Sequence, residues 1–422
     1  MKKLVTVILI LSFLAPTLSS CTTGEKEQGG VEISVVTMYG GDDGNRAVYQ
    51  NACYEYETIS ENTINDSSAQ SSESWKAKVV TDFEVGAEPD VLFFFTGTDS
   101  DPFVRAGKVV SVDEIRKVYP NYAANMDYDM FPASAVDNEC YAVPVNGYWE
   151  SLYVNKTVFS SCGLELPDEN YTWDKFLSDC AVIRDNGYTP IALSAYPHYW
   201  FEYFLYNECP AAVYGEIPAV DSGECWDAWV AALNKFKEFY ELGFFPENYL
   251  TATDDETCRM MVDNSAAFLL DGSWKINYFI ENGVDENIAL TYVPGAGARA
   301  TTDIIGGLSA GYYITQKAGE NEEKRAACVD FISFMTSDEM VSKFGAMAIT
   351  ALSNGTLEEA HESELVTQAR IILAGATDTT AAVQDSMDGD ARTFMFESIR
   401  SSIVTGNRTA EDVLREVIGI KS

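Results

Sequence analysis

The chain has 422 residues, more than one hydrophobic core usually organises, so two lobes are expected and a lone small module is excluded. With 46% hydrophobic, 12% aromatic and 22% charged residues it can bury sizeable cores, which excludes a disordered chain. Sixty-five acidic against 28 basic side chains give a net charge of -37, a hydrated surface that repels phosphate backbones and excludes nucleic acid as a partner.

Lys2 and Lys3 precede an apolar run from Leu4 to Leu14. The run is about half the ~20 residues that span a bilayer, the pattern of a secretion signal over residues 1–20. Leu18-Ser19-Ser20-Cys21 resembles the bacterial lipobox, whose cysteine takes palmitate-type chains and becomes the mature N-terminus. Two such chains anchor stably where one is marginal. Residues 21–30 then read as a polar tether, so the expected product is an exported lipoprotein anchored to the outer face of the cell membrane. Beyond Cys21 lie Cys53, Cys140, Cys162, Cys180, Cys209, Cys225, Cys258 and Cys328. An even number permits disulfides; Cys209 and Cys225, flanking a Pro- and Gly-containing stretch, are the preferred pair, with buried free thiols as the alternative. There is no CxxC or CxxH and there are two histidines, His198 and His361, so neither a metal site nor a cofactor is expected.

In chain order, Val31 to Met38 reads as a strand running into a turn at Tyr39-Gly40-Gly41-Asp42-Asp43-Gly44. Residues 60–74 read as surface loop and Trp75 to Val85 as a helix. Val91 to Phe95 is a wholly apolar strand covered on both faces, ending at the polar turn Thr96-Gly97-Thr98-Asp99. Strands follow at Ser151–Asn155, Pro190–Leu193, Ala266–Leu270 and Ala289–Pro294, with a Gly-rich strand pair over Ile304–Ile314. Helices are expected at Trp173–Asn186, Trp226–Leu242 and through most of the chain after Asn321. Strand, helix and strand in alternation argue for α/β layering.

Several segments resemble the extracellular solute-binding proteins of ABC sugar importers, the maltose-binding-protein-like group. They are Glu88-Pro89-Asp90-Val91, Tyr141 to Lys156 (YAVPVNGYWESLYVNK), Thr172-Trp173-Asp174-Lys175-Phe176, Ala266 to Trp274 (AAFLLDGSW), Gly307 to Ala318, Ala326 to Thr336 and Thr405 to Val413. They occur in the family's order along the whole mature chain. The resemblance implies a type II periplasmic-binding-protein-like α/β fold of two lobes, with a hinge that the chain crosses more than once and a ligand cleft between. Lobe one would be 31–143 plus 294–337 and lobe two 146–292 plus 338–422. It further implies a monomer that captures a carbohydrate, an oligosaccharide, by interlobe closure and delivers it to a permease.

A sugar offers apolar C–H faces to aromatic rings and hydroxyl edges to carboxylates. On that chemistry the ligand-binding candidates are Tyr39, Asp42, Asp43, Thr98 and Asp99 from lobe one. Tyr148, Trp149, Glu150, Trp200, Trp274, Gly307 and Phe394 complete the set, the glycine by allowing close backbone approach. Asp42 and Asp43 serve equally well as turn formers. Trp149 and Trp200 are as readily core as platform, His198 reads as a surface or packing residue with ligand contact as the alternative, and Trp173, Trp226 and Trp229 as helix-face core. No phosphate loop or HExxH is present, so no catalytic residue is assigned. A secreted glycan-active enzyme and a lipoprotein for a non-sugar solute are the competing readings.

Overall fold

A computed structural model describes residues 30–41, 43–168, 170–194, 196–209, 211–345, 349–353 and 363–420. The signal segment, Cys21, the tether up to residue 29 and Asp42 lie outside the described residues. Strand β1 (Glu32–Val36) alternates buried Ile33 and Val35 with more exposed neighbours and pairs in parallel with β2 (Thr63–Asp66) and β3 (Val91–Phe95). Strand β2 falls in the segment expected to be loop. It is the edge strand, its sequence Thr-Ile-Asn-Asp is mostly exposed, and an edge facing water carries no apolar run to announce it. Strand β3 is buried on both faces. Val91 and Phe93 enter one core with Tyr39 and Tyr49, whereas Leu92 and Phe94 enter another with Trp75, Val79 and Phe83.

The second sheet is built on β4 (Tyr148–Asn155), which pairs antiparallel with β6 (Ala266–Gly272), β7 (Ile288–Thr291) and β8 (Asp303–Gly307). Outside these, β5 (Thr189–Ile191) lies parallel to β6, and β10 (Asp378–Thr380) parallel to β8. Strand β9 (Ala310–Ile314) closes the first sheet, antiparallel to β3, so the first sheet runs β2-β1-β3-β9. The helix Glu224–Glu241 covers the second sheet with Trp226, Trp229, Leu233, Phe236 and Phe239, spaced by three and four. Burying each such side chain contributes about 1.5–3 kcal/mol. The large core around it also takes in Met387 and, from the late helix Gly389–Ser398, Ala391 and Met395. Among the described residues no helix is long and apolar enough to cross a membrane.

Two crossings between the sheets run side by side. One leads from Val143, bridged to Tyr312 in the first sheet, to Tyr148 in the second; the other leads from Gly307 to Ala310. A Cβ on Gly147 would sit 2.0 Å from the carbonyl oxygen of Gly307, and one on Gly306 2.5 Å from that of Tyr148. Glycine is required because the two strands of the hinge touch backbone to backbone. The packing therefore places β8 in the second sheet, while Met340, Val341 and Phe344 pack on the first. The sequence had allotted 294–337 to lobe one and 338 onward to lobe two. The structure does not join Cys209 and Cys225 in a disulfide: each Sγ lies near a backbone carbonyl oxygen, of Leu205 and Glu216 respectively.

Candidate functional site

The polar turns that follow β1 and β3 both reach the second lobe. After β1, Asp43 caps its own turn by accepting the Asn45 amide at 2.8 Å. A Cβ on the next residue, Gly44, would stand 3.3 Å from the carbonyl oxygen of Trp274. After β3, the Thr98 hydroxyl donates to the carbonyl oxygens of Asp385 (3.1 Å) and Met387 (2.7 Å). Asp99 takes Lys76 of its own lobe at 2.9 Å and Arg392 of the other at 2.6 Å. The lobes thus meet at both turns.

Between those points lies a row of rings on lobe two. Phe396 faces His198 (5.8 Å between centroids), His198 faces Tyr199 (4.0 Å), Tyr199 faces Trp274 (6.1 Å) and Trp274 faces Tyr148 (6.0 Å). Each of these five is only partly buried, unlike the core aromatics beneath them. The Trp274 indole folds back over Gly272, where a Cβ would come within 2.2 Å of its six-membered ring. No other residue at 272 leaves the ring in this position.

Acidic groups lie around the row. Burial pushes Asp43 up to about 6, opposed by Lys275 across the cleft. Burial does the same to Asp385, to about 6, against the pull of Lys76 and Arg392. For Asp99 burial also acts upward, but Lys76 and Arg392 outweigh it and hold the carboxyl below its ordinary value. Beneath Tyr148, burial raises both Glu150 and Glu202 well above the ordinary glutamate range, and each is raised further by a neighbouring carboxyl. Among the described residues neither oxygen of Glu150 accepts an N–H or O–H, and its carboxyl faces that of Glu202. Two buried carboxyls so placed cannot both ionise, so the pair keeps a proton. Burial, then Lys76 and Arg392, push His198 down to about 3, leaving a neutral imidazole. Asp254, Cys258 and Asp271 each bring a ligand atom within 4.8 Å of the others, but Lys275 stands 2.9 Å from Asp254 and 3.6 Å from Asp271, so an ammonium already supplies the counter-charge.

The structure sorts the sequence candidates into three groups. Tyr148 and Trp274 join the ring row, and Asp43, Thr98 and Asp99 stand at its two ends. Tyr39, Trp149 and Trp200 go into cores: Tyr39 stacks on Phe93 at 4.8 Å, Trp149 is fully buried beside Tyr153 and Ile276, and Trp200 stacks on Phe176 at 5.7 Å. Glu150 is buried below the row, Gly307 serves the hinge, and Phe394 lies under the Arg408 guanidinium. Asp42 lies outside the described residues.

Two of these placements follow from helical phase. His198–Glu208 is a helix, and turning Trp200 inward leaves His198 and Tyr199 toward the row. In Gly389–Ser398, Phe394 and Phe396 are two positions, about 200°, apart, so one ring at most can face His198, and it is Phe396. Tyr199, Phe396, Asp385, Lys275 and Arg392 were not singled out from sequence. Phase could have found the first two; the others are assembled from distant parts of the chain.

The profile of the family described as bacterial extracellular solute-binding protein matches residues 42–341. Among solved structures, the chain is similar to a chitin oligosaccharide binding protein (18% identity, TM-score 0.80), covering 93% of this chain and 98% of that one. A maltose/maltodextrin-binding domain from Bdellovibrio bacteriovorus bound to maltotriose follows at 14% identity and TM-score 0.72, covering 92% and 98%. A solute-binding protein in complex with raffinose shows 15% identity and TM-score 0.70, again over 92% and 98%. At these identities the likeness establishes the fold, the type II two-lobed solute-binding architecture. No curated protein matches the sequence.

Proposed function

The chain belongs to the bacterial extracellular solute-binding protein family, and on that premise we propose that it captures a carbohydrate, an oligosaccharide, between its lobes and hands it to an ABC permease. The observation that carries this reading is the row Phe396, His198, Tyr199, Trp274 and Tyr148, partly buried and flanked by carboxylates where the lobes meet. Rings of this kind stack on sugar C–H faces, and carboxylates such as Asp43 and Asp385 accept from sugar hydroxyls. Closure excludes water from those hydrogen bonds and produces a single shape for the permease to read. The similar structures bound to maltotriose and raffinose support a glycan over other solutes. The lipobox at Cys21 supports lipid anchoring to the outer face of the membrane.

The test is the melting temperature of the chain with chito-, malto- and xylo-oligosaccharides, followed by product analysis. A ligand that binds only the folded state adds about 2.7 kcal/mol at 100 times its Kd. An upward shift with the glycan recovered intact supports the proposal. Recovery of cleaved glycan would replace it with a glycan-active enzyme, and no shift with any glycan would replace it with a binder of non-sugar solutes.

A further inference from the structure

We propose that Asp99 and Arg392 form an electrostatic clasp that draws the lobes together without help from a ligand. Asp99 belongs to the turn after β3, beside the core of Trp75, Val79 and Phe94; Arg392 belongs to a helix whose Ala391 and Met395 enter the core of the other lobe. Their 2.6 Å contact therefore spans the cleft. Both side chains are shielded, 4% exposed for Arg392 and 11% for Asp99, so water and salt weaken the pair far less than an exposed one.

The surroundings hold each partner in place. Lys76 grips Asp99 from its own lobe at 2.9 Å, and Arg392 donates to the Gln384 carbonyl at 3.3 Å within the other. Glu73 stands 3.4 Å from Arg392, a second acceptor from lobe one. Beside the pair, Thr98 bonds the carbonyls of Asp385 and Met387, so side chain and backbone fasten at one point. The bonds that join the lobes here, Asp99 and Glu73 to Arg392 and Thr98 to the Asp385 and Met387 carbonyls, are contributed by protein groups on both sides.

The test uses the ligand-free chain, with Arg392→Gln, Asp99→Asn and the double variant. Hydrogen exchange of the amides at 97–100 and 384–388 and the radius of gyration by X-ray scattering report closure, and far-UV circular dichroism verifies folding. A charge-assisted bond of this kind shifts the open-to-closed ratio by about ten- to a hundredfold. Each single variant is therefore expected to exchange faster by that factor and to expand, with the double variant no worse than either. Asp99→Asn leaves the Arg392–Gln384 contact intact, so its effect cannot come from a disturbed lobe-two loop. Equal exchange and scattering in wild type and both single variants would overturn the clasp, as would effects that add in full in the double variant.

Discussion

The Glu150–Glu202 pair ties the stability of the protein to pH in a way that removing both carboxyls should expose. In the unfolded chain both glutamates have ordinary values near 4.3 and are ionised at neutral pH. In the folded chain burial raises both, and the pair keeps a proton. The folded state then binds about one proton more than the unfolded state. Stability contributed by the pair is complete at low pH and falls as pH rises above about 4.3, by about 1.4 kcal/mol per pH unit. Over the pH range in which the pair holds that proton, two pH units cost on the order of 3 kcal/mol. Replacing both, Glu150→Gln with Glu202→Gln, keeps the shape and leaves no carboxyl at the pair, so no proton is retained there. Urea unfolding of wild type and variant at pH 6, 7 and 8 should show the variant losing less with rising pH, the two curves diverging by about one proton. Asp43, also raised to about 6, remains in both proteins and cancels in the difference. Parallel curves between pH 6 and 8 would refute the shared proton.

Gly272→Ala forces the Trp274 ring off its seat, since the new methyl would overlap it, and should cost about 1–3 kcal/mol together with a change in tryptophan fluorescence. Trp274→Ala should leave the fold intact, its side chain being only partly buried, yet weaken any glycan that shifts the wild-type melting point by on the order of tenfold in titration calorimetry. Phe236→Ala, deep in the largest core and remote from the ring row, should cost about 3–5 kcal/mol in urea unfolding without a specific effect on ligand affinity beyond lost folded protein. Alkylation of the denatured, unreduced chain followed by peptide mass spectrometry should find no peptide pair linked through Cys209 and Cys225; a linked pair would contradict the separate positions of their sulfurs.

Alternation and apolar runs were enough to place β1, β3, β4 and β6, and the helix Glu224–Glu241, because a buried face writes its period directly into the chain. Collinear motifs were enough to indicate a two-lobed binding fold, and the turns after β1 and β3 could be marked as polar ends of buried strands. The edge strand β2 left no such trace, because half-solvated polar residues look alike in a strand and in a loop. Within the site, residue type identified aromatics and acids but not their direction. Trp149 and Tyr148 are neighbours, and the pleat of β4 sends one into the core and the other to the ring row. Asp99 was legible as a carboxylate at a strand end. That it meets Arg392, 293 residues later, is decided by how the two lobes close, since Coulomb attraction acts through space and leaves no periodic mark on the sequence.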